Sequence, residues 1–217
     1  MKYIIQLNFT IFFFLLLLMQ TSYSKNIRVL ILGDSLIAGY GLLKENGFVD
    51  QLQKKFDNEK YNINLVNGGV SGETSTGLNN RFEWILDDKF DGIVISTGAN
   101  DALRGIDPQI TSKNIENILL YLEKIQIPTM LIGMRAPNNL GSDYVKEFNN
   151  IYPKLAEKYE TFFYPFFLKD VVLKPALNQK DMIHPNEQGV KIIVENIYPQ
   201  FLLFYKTLKN QLSSKNK

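Results

Sequence analysis

Residues 27–36 read IRVLILGDSL. Five aliphatic positions from Ile27 to Leu32, broken only by Arg28, stop at Gly33, and a hydroxyl, Ser35, follows two residues later. A short apolar run ended by glycine is the signature of a buried strand, and buried strands without polar alternation belong to parallel sheets. The same unit recurs downstream. Phe48, Val49, Leu52 and Phe56 follow helical spacing, and a second strand over 63–66 is expected to end at Asn67-Gly68-Gly69. Leu78, Phe82, Ile85 and Leu86 mark a helix, and Gly92–Ser96 (GIVIS) a third strand stopped by Gly98. Ile115, Ile118, Leu119, Leu122 and Ile125 form a helical stripe before a strand over 129–133. One further helix is expected from Tyr144 to Tyr159, a fifth strand from 161 to 167, and a last helix over 186–208, kinked by Pro199.

Strands alternating with helices imply a three-layer α/β/α sandwich around a mostly parallel, five-stranded, flavodoxin-like sheet. The 217 residues fit one domain. Lys plus Arg is 24 and Asp plus Glu is 22, so there is no basic surplus of the kind nucleic-acid binding requires. Cysteine is absent, which removes disulfides, thiol nucleophiles and thiolate metal sites. His184 is the single histidine, so any imidazole chemistry uses it.

The first 24 residues read as a cleaved export signal. Lys2 supplies the positive end, Ile11–Met19 (IFFFLLLLM) the apolar run, and Ser22-Tyr23-Ser24 the small residues before cleavage. Nine apolar residues fall short of the ~20 that span a membrane; the alternative readings are an uncleaved membrane anchor or a buried helix. The expected organisation is signal 1–24, a catalytic domain over 25–210, and a frayed tail over 211–217, with the mature protein in a bacterial periplasm.

In open α/β sheets, ligands bind at the carboxyl ends of the strands. There the sequence supplies Gly33-Asp34-Ser35-Leu36, Asn67 to Thr74, Gly98-Ala99-Asn100-Asp101, Arg135 to Asn138 and, before the last helix, Asp181 to Pro185. A hydroxyl, glycine amides, a carboxamide, and a carboxylate close to an imidazole make an inventory for acyl transfer. Taken singly, each has a plainer reading: Ser35 as a helix cap, Gly72 and Asn100 as turn residues, His184 as a helix-start residue with Pro185 at the first helical position.

GDSL at 33–36, SGET at 71–74, GAND at 98–101 and DMIH at 181–184 occur in that order. With ILGDSLIAGYGL, LVNGGVSGETS, IYPKLAEKY, PFFL and LKP around them, the chain resembles the SGNH (GDSL) hydrolases over roughly residues 27–205. Within that family it is most similar to bacterial periplasmic arylesterases, thioesterases and lysophospholipases. GAND stands where many relatives carry GGND, at a position supplying no functional side chain.

The resemblance implies Ser35 as nucleophile, His184 as general base and then acid, and Asp181 as the carboxylate that orients the imidazole. It implies an oxyanion hole made of the Ser35 and Gly72 amides and the Asn100 side chain. Asp34 and Asp101 are expected to be hydrogen-bonders within their own loops. No metal and no cofactor are expected. The loop Ala102–Ile106 is implied to be a mobile wall, and Leu36, Leu103, Ile106, Ala136, Pro137 and Ile183 are candidates for an apolar substrate slot. The aromatic run 162–167 is read as a buried strand.

The expected substrate is a small acyl ester, thioester or lipid-like ester, handled by a monomer with transient membrane-surface contact and no nucleic-acid partner. The rival readings are a carbohydrate O-deacetylase on the same fold and an inactive binding module, the latter disfavoured by the intact Ser35, Gly72, Asn100, Asp181 and His184. A nucleotide-binding protein is disfavoured because no GxxxxGK[ST] loop is present.

Overall fold

The computed structural model describes residues 26–86 and 89–215. The expected export signal lies outside these residues. Five parallel strands, β1 (Ile27–Gly33), β2 (Ile63–Gly69), β3 (Gly92–Ser96), β4 (Thr129–Ile132) and β5 (Phe162–Tyr164), form one sheet in the order β2-β1-β3-β4-β5. The helices are α1 (Ser35–Ala38), α2 (Phe48–Asn58), α3 (Ser75–Ile85), α4 (Ala99–Leu103), α5 (Pro108–Lys124), α6 (Ser142–Asn149), α7 (Ile151–Lys158) and α8 (Glu187–Lys215).

The strand order reverses direction at β1, and right-handed crossovers then send the helices to opposite faces. Helices α2 and α8 pack together on one face, and α3, α5, α6 and α7 on the other. Val29 to Leu32, Ile93 to Ile95 and Met130 to Ile132 are buried throughout, which explains the continuous apolar runs. The crevice at the reversal, between the carboxyl ends of β1 and β3, is where such sheets bind ligands.

Four elements differ from the sequence expectation. Strand β2 runs on through Gly68 and Gly69, pairing Gly69 with Gly33. The glycines serve close approach rather than strand termination: a Cβ at Gly69 would collide with the backbone of Ile37 and Ala38 in α1. Asn67 fastens that contact, its Nδ2 donating to the Ile37 carbonyl at 2.9 Å.

The helix expected from Tyr144 to Tyr159 is two helices, α6 and α7, divided at Asn150. Pro153 has no N–H to offer the Asn149 carbonyl, so the hydrogen-bond ladder breaks there. Strand β5 ends at Tyr164, before Pro165.

Helix α8 extends to Lys215, so the stretch from Gln211 expected to fray is helical as far as that residue. Its buried stripe, Val190, Ile193, Val194, Ile197, Phe201, Phe204, Tyr205 and Leu208, continues with the half-buried Leu212. Pro199 sits on the exposed side of this helix and has no N–H to offer the Glu195 carbonyl. Pro185 precedes the helix rather than opening it. It bridges to Asn178, and the Asn186 side chain accepts the Gly189 N–H at 3.0 Å as the cap. Among the described residues no helix is long and apolar enough to cross a membrane.

Candidate active site

Ser35 is the first residue of α1, directly beyond the end of β1. Asp34 caps that helix, its Oδ1 accepting the Leu36 N–H at 3.0 Å, and Gly39 closes it in a left-handed conformation. The strand–turn–helix geometry holds Ser35 at the sheet edge with its side chain turned to the loop 178–186. That loop is built by its own backbone. The Gln179 N–H donates to the His184 carbonyl at 2.7 Å, and the Met182 N–H to the Gln179 carbonyl at 3.0 Å.

His184 Nε2 lies 2.8 Å from Ser35 Oγ, and His184 Nδ1 lies 2.7 Å from Asp181 Oδ2. Asp181 Oδ1 also accepts the backbone N–H groups of Ile183 and His184, at 2.9 and 3.0 Å. The His184 backbone N–H, helped by the imidazole and the Ile183 N–H, lowers the Asp181 carboxyl to about 2, against the opposing effect of burial. A carboxylate fixed beside Nδ1 keeps that nitrogen protonated and leaves the Nε2 lone pair toward Ser35.

On the other side of Ser35 lie the loop after β2 and helix α4. The Val70 N–H donates to the Gly33 carbonyl at 2.9 Å, and the Glu73 N–H closes a turn on the Val70 carbonyl at 3.1 Å. Gly72 occupies this turn at φ +80°, a conformation glycine adopts without strain. A Cβ there would meet only Arg104 Nη2, at 3.8 Å, so it is the backbone angle and not crowding that calls for glycine. Asn100, in α4, points its Nδ2 to the Glu73 carbonyl at 3.0 Å. One amide hydrogen is thereby committed, and the second has no hydrogen-bond partner among the described residues.

Asp34 and Asp101 are both buried. Asp34 bonds within its own loop, as expected. Burial raises its carboxyl to about 6, against the Leu36 N–H, and its Oδ2 has no hydrogen-bond partner among the described residues. Asp101 departs from expectation by reaching across the site's floor. Its Oδ1 accepts from Ser75 Oγ at 2.5 Å and Thr111 Oγ1 at 3.1 Å, and its Oδ2 from the Ser75 N–H at 2.8 Å. It therefore joins α3, α4 and α5.

The apolar slot candidates separate. Leu36 and Ala136 belong to the buried core, Ile106 and Pro137 are half-buried, and Leu103 and Ile183 are 49% and 44% exposed. Sequence reasoning passed over three neighbours of the site. The Tyr40 ring lies 4.6 Å from the His184 ring. Gln179 Nε2 donates to the Tyr40 carbonyl at 2.8 Å and to the Pro185 carbonyl at 3.1 Å, tying the loop after α1 to the histidine loop. Arg104 Nη2 donates to the Gly72 carbonyl at 2.9 Å.

A serine, an imidazole and a carboxylate lie in line at the reversal point of a parallel sheet, the arrangement that hydrolases with a hydroxyl nucleophile use. Residues 31–192 match the GDSL-like Lipase/Acylhydrolase family, and the chain belongs to it. It is 34% identical over 185 residues to thioesterase 1/protease 1/lysophospholipase L1 of Escherichia coli, covering 85% of this chain and 87% of that one. It is 32% identical over 186 residues to the esterase TesA of Pseudomonas aeruginosa, covering 85% and 92%. A solved structure of the psychrotrophic esterase EstA from Pseudoalteromonas, inhibited by monoethylphosphonate, superposes with a TM-score of 0.78. Its sequence is 33% identical, with coverage of 82% of this chain and 98% of that one.

Proposed function

We propose that Ser35, His184 and Asp181 form the catalytic triad of an exported esterase that cleaves acyl esters, thioesters and lysophospholipids. The observation that carries this reading is the unbroken line from Ser35 Oγ to His184 Nε2, 2.8 Å, and from His184 Nδ1 to Asp181 Oδ2, 2.7 Å.

In this reading Ser35 Oγ attacks the acyl carbon as its proton passes to Nε2. The carbonyl oxygen becomes an oxyanion held by the amides of Ser35 and Gly72 and the free hydrogen of the Asn100 carboxamide. Collapse breaks the bond to the leaving oxygen or sulfur, which takes the proton back from His184. Water then repeats the sequence: His184 takes its proton as its oxygen adds to the acyl carbon, the second oxyanion collapses, and Ser35 Oγ leaves with the proton returned from His184, releasing the carboxylic acid. Asp181 stays ionised throughout and stabilises the imidazolium.

The substrate range draws on the names borne by the relatives, one a thioesterase and lysophospholipase and another an esterase. The exposed Leu103 and Ile183 suit the acyl chain of such a substrate, or brief contact with a lipid surface. Export rests on the apolar run Ile11–Met19 and the small residues that follow it.

Turnover of p-nitrophenyl esters, lysophosphatidylcholine and acyl-CoA by the wild-type chain and Ser35→Ala tests the reading. Hydrolysis of at least one class, abolished in a folded Ser35→Ala, is the expected result. Activity that survives in Ser35→Ala would refute it.

A further inference from the structure

We propose that Glu73 is a positioning residue that sets two of the three oxyanion donors at once; this rests on the oxyanion reading above. Glu73 follows Gly72, so the turn that aims the Gly72 amide closes on its N–H, donated to the Val70 carbonyl at 3.1 Å. Its own carbonyl accepts the Asn100 Nδ2 hydrogen at 3.0 Å, which fixes the rotation of that carboxamide and directs the other hydrogen. A single peptide segment thus orients a main-chain donor before it and a side-chain donor 27 residues away.

The side chain anchors that segment. The Glu73 carboxylate is nearly buried and forms a forked pair with Arg81 of α3, through Nε to Oε1 and through Nη2 to Oε2 at 2.7 Å. Arg81 Nη2 also donates to the Gly68 carbonyl near the end of β2, at 2.8 Å. The guanidinium therefore ties Glu73 to the sheet as well as to the helix.

The fold makes room for this anchor. A Cβ on Gly77, in the first turn of α3, would stand 2.9 Å from Glu73 Cγ. Among the described residues no hydrogen bond joins this network to Ser35 or His184, so Glu73 acts through the donors and not on the nucleophile. A partly buried, forked ion pair holds a geometry that an exposed loop residue does not hold alone.

The test is kcat and KM for p-nitrophenyl butyrate in the full chain, for wild type, Glu73→Ala, Glu73→Gln, Asn100→Ala and the Glu73→Ala/Asn100→Ala double variant. Glu73→Ala is expected to lower kcat by about 10- to 100-fold, the cost of misplacing groups around a reacting centre, with KM changed by no more than about threefold. Glu73→Gln keeps the length and an acceptor for Arg81, and is expected to recover part of the loss. The double variant is expected to lose less than the product of the single losses, because a donor that is gone no longer needs positioning.

A Glu73→Ala enzyme with kcat within about twofold of wild type, a loss confined to KM, or strictly multiplicative losses would overturn the proposal. Where Glu73→Ala does not fold, Arg81→Gln carries the test, since it removes the anchor and leaves Glu73 in place; wild-type kcat there overturns it too. An undiminished kcat in Asn100→Ala removes the oxyanion reading and the proposal with it. A loss in Asn100→Ala without one in Glu73→Ala removes only the proposal.

Discussion

Asp181 holds His184 at two points: Oδ1 accepts its backbone N–H at 3.0 Å, and Oδ2 meets its ring Nδ1 at 2.7 Å. One carboxylate thus fixes both the loop conformation and the ring. The loop is further closed by the Gln179 N–H on the His184 carbonyl. The Gln179–His184 and Met182–Gln179 backbone bonds do not use the carboxylate, and they hold the imidazole near Ser35 when it is gone. Asp181→Ala should therefore lose less activity than His184→Ala. We expect losses in kcat on the order of 10² to 10⁴ for the first and 10⁴ to 10⁶ for the second. Steady-state kinetics on the two purified variants decide the order, and an Asp181→Ala loss equal to that of His184→Ala would mean the backbone contributes nothing.

In the proposed oxyanion hole, Asn100→Ala removes one charge-stabilising donor and leaves Ser35 and His184 in place. Its kcat should fall by roughly 10² to 10³ with KM little changed, because the bond forms mainly in the transition state. Gly72→Ala tests the amide beside it. With the nearest atom at 3.8 Å, the methyl fits, but φ +80° is strained for alanine. The variant should fold, lose turnover as the turn relaxes, and keep its KM. A Gly72→Ala enzyme at wild-type rate would separate Gly72 from the oxyanion.

Asp34 and Asp181 make opposite contributions to stability against pH. Asp34, raised to about 6 by burial, is easier to protonate folded than unfolded. Its stabilising contribution is complete below the ordinary carboxylate range and is lost as pH rises through about 6. At 1.36 kcal/mol per pKa unit the loss is about 3 kcal/mol. Asp181, lowered to about 2, contributes stability above the ordinary carboxylate range that is lost as pH falls through about 2. Urea unfolding between pH 4 and 8 should show wild type losing stability through pH 6 and Asp34→Asn flat over the same span. Parallel curves for the two proteins would show that Asp34 does not titrate with folding.

Asp101 is a structural centre. Asp101→Ala would leave Ser75 Oγ, the Ser75 N–H and Thr111 Oγ1 buried without their acceptor. Unpaired buried donors cost ~1–3 kcal/mol each, so we expect a loss of at least about 3 kcal/mol in urea unfolding. A change under about 1 kcal/mol would contradict this placement.

The sequence carried the strands, the alternation and the polar residues at their carboxyl ends. Ile27–Leu32 and Gly92–Ser96 are apolar because both sheet faces are covered, and Ser35 and Asn100 lie within four residues of those strands' ends. What remained hidden depends on pairs distant in sequence. Gln179 and Tyr40 meet across 139 positions, and neither residue type signals the other. Glu73 and Arg81 are eight apart, off the three- and four-residue spacings at which helix neighbours pair, because Glu73 lies ahead of the helix and folds back over Gly77. Gly69 misled for a related reason: a glycine admitted for close approach reads the same as one that ends a strand.

The central claim is that Ser35 is the nucleophile and that His184 activates it. Wild type, Ser35→Ala and His184→Ala should each be treated with a fluorophosphonate and the adduct located by peptide mass mapping. One adduct on the Ser35 peptide of wild type is expected, with none in Ser35→Ala and strongly slowed labelling in His184→Ala. An adduct that persists in Ser35→Ala, or one that forms at the wild-type rate without His184, would contradict the mechanism.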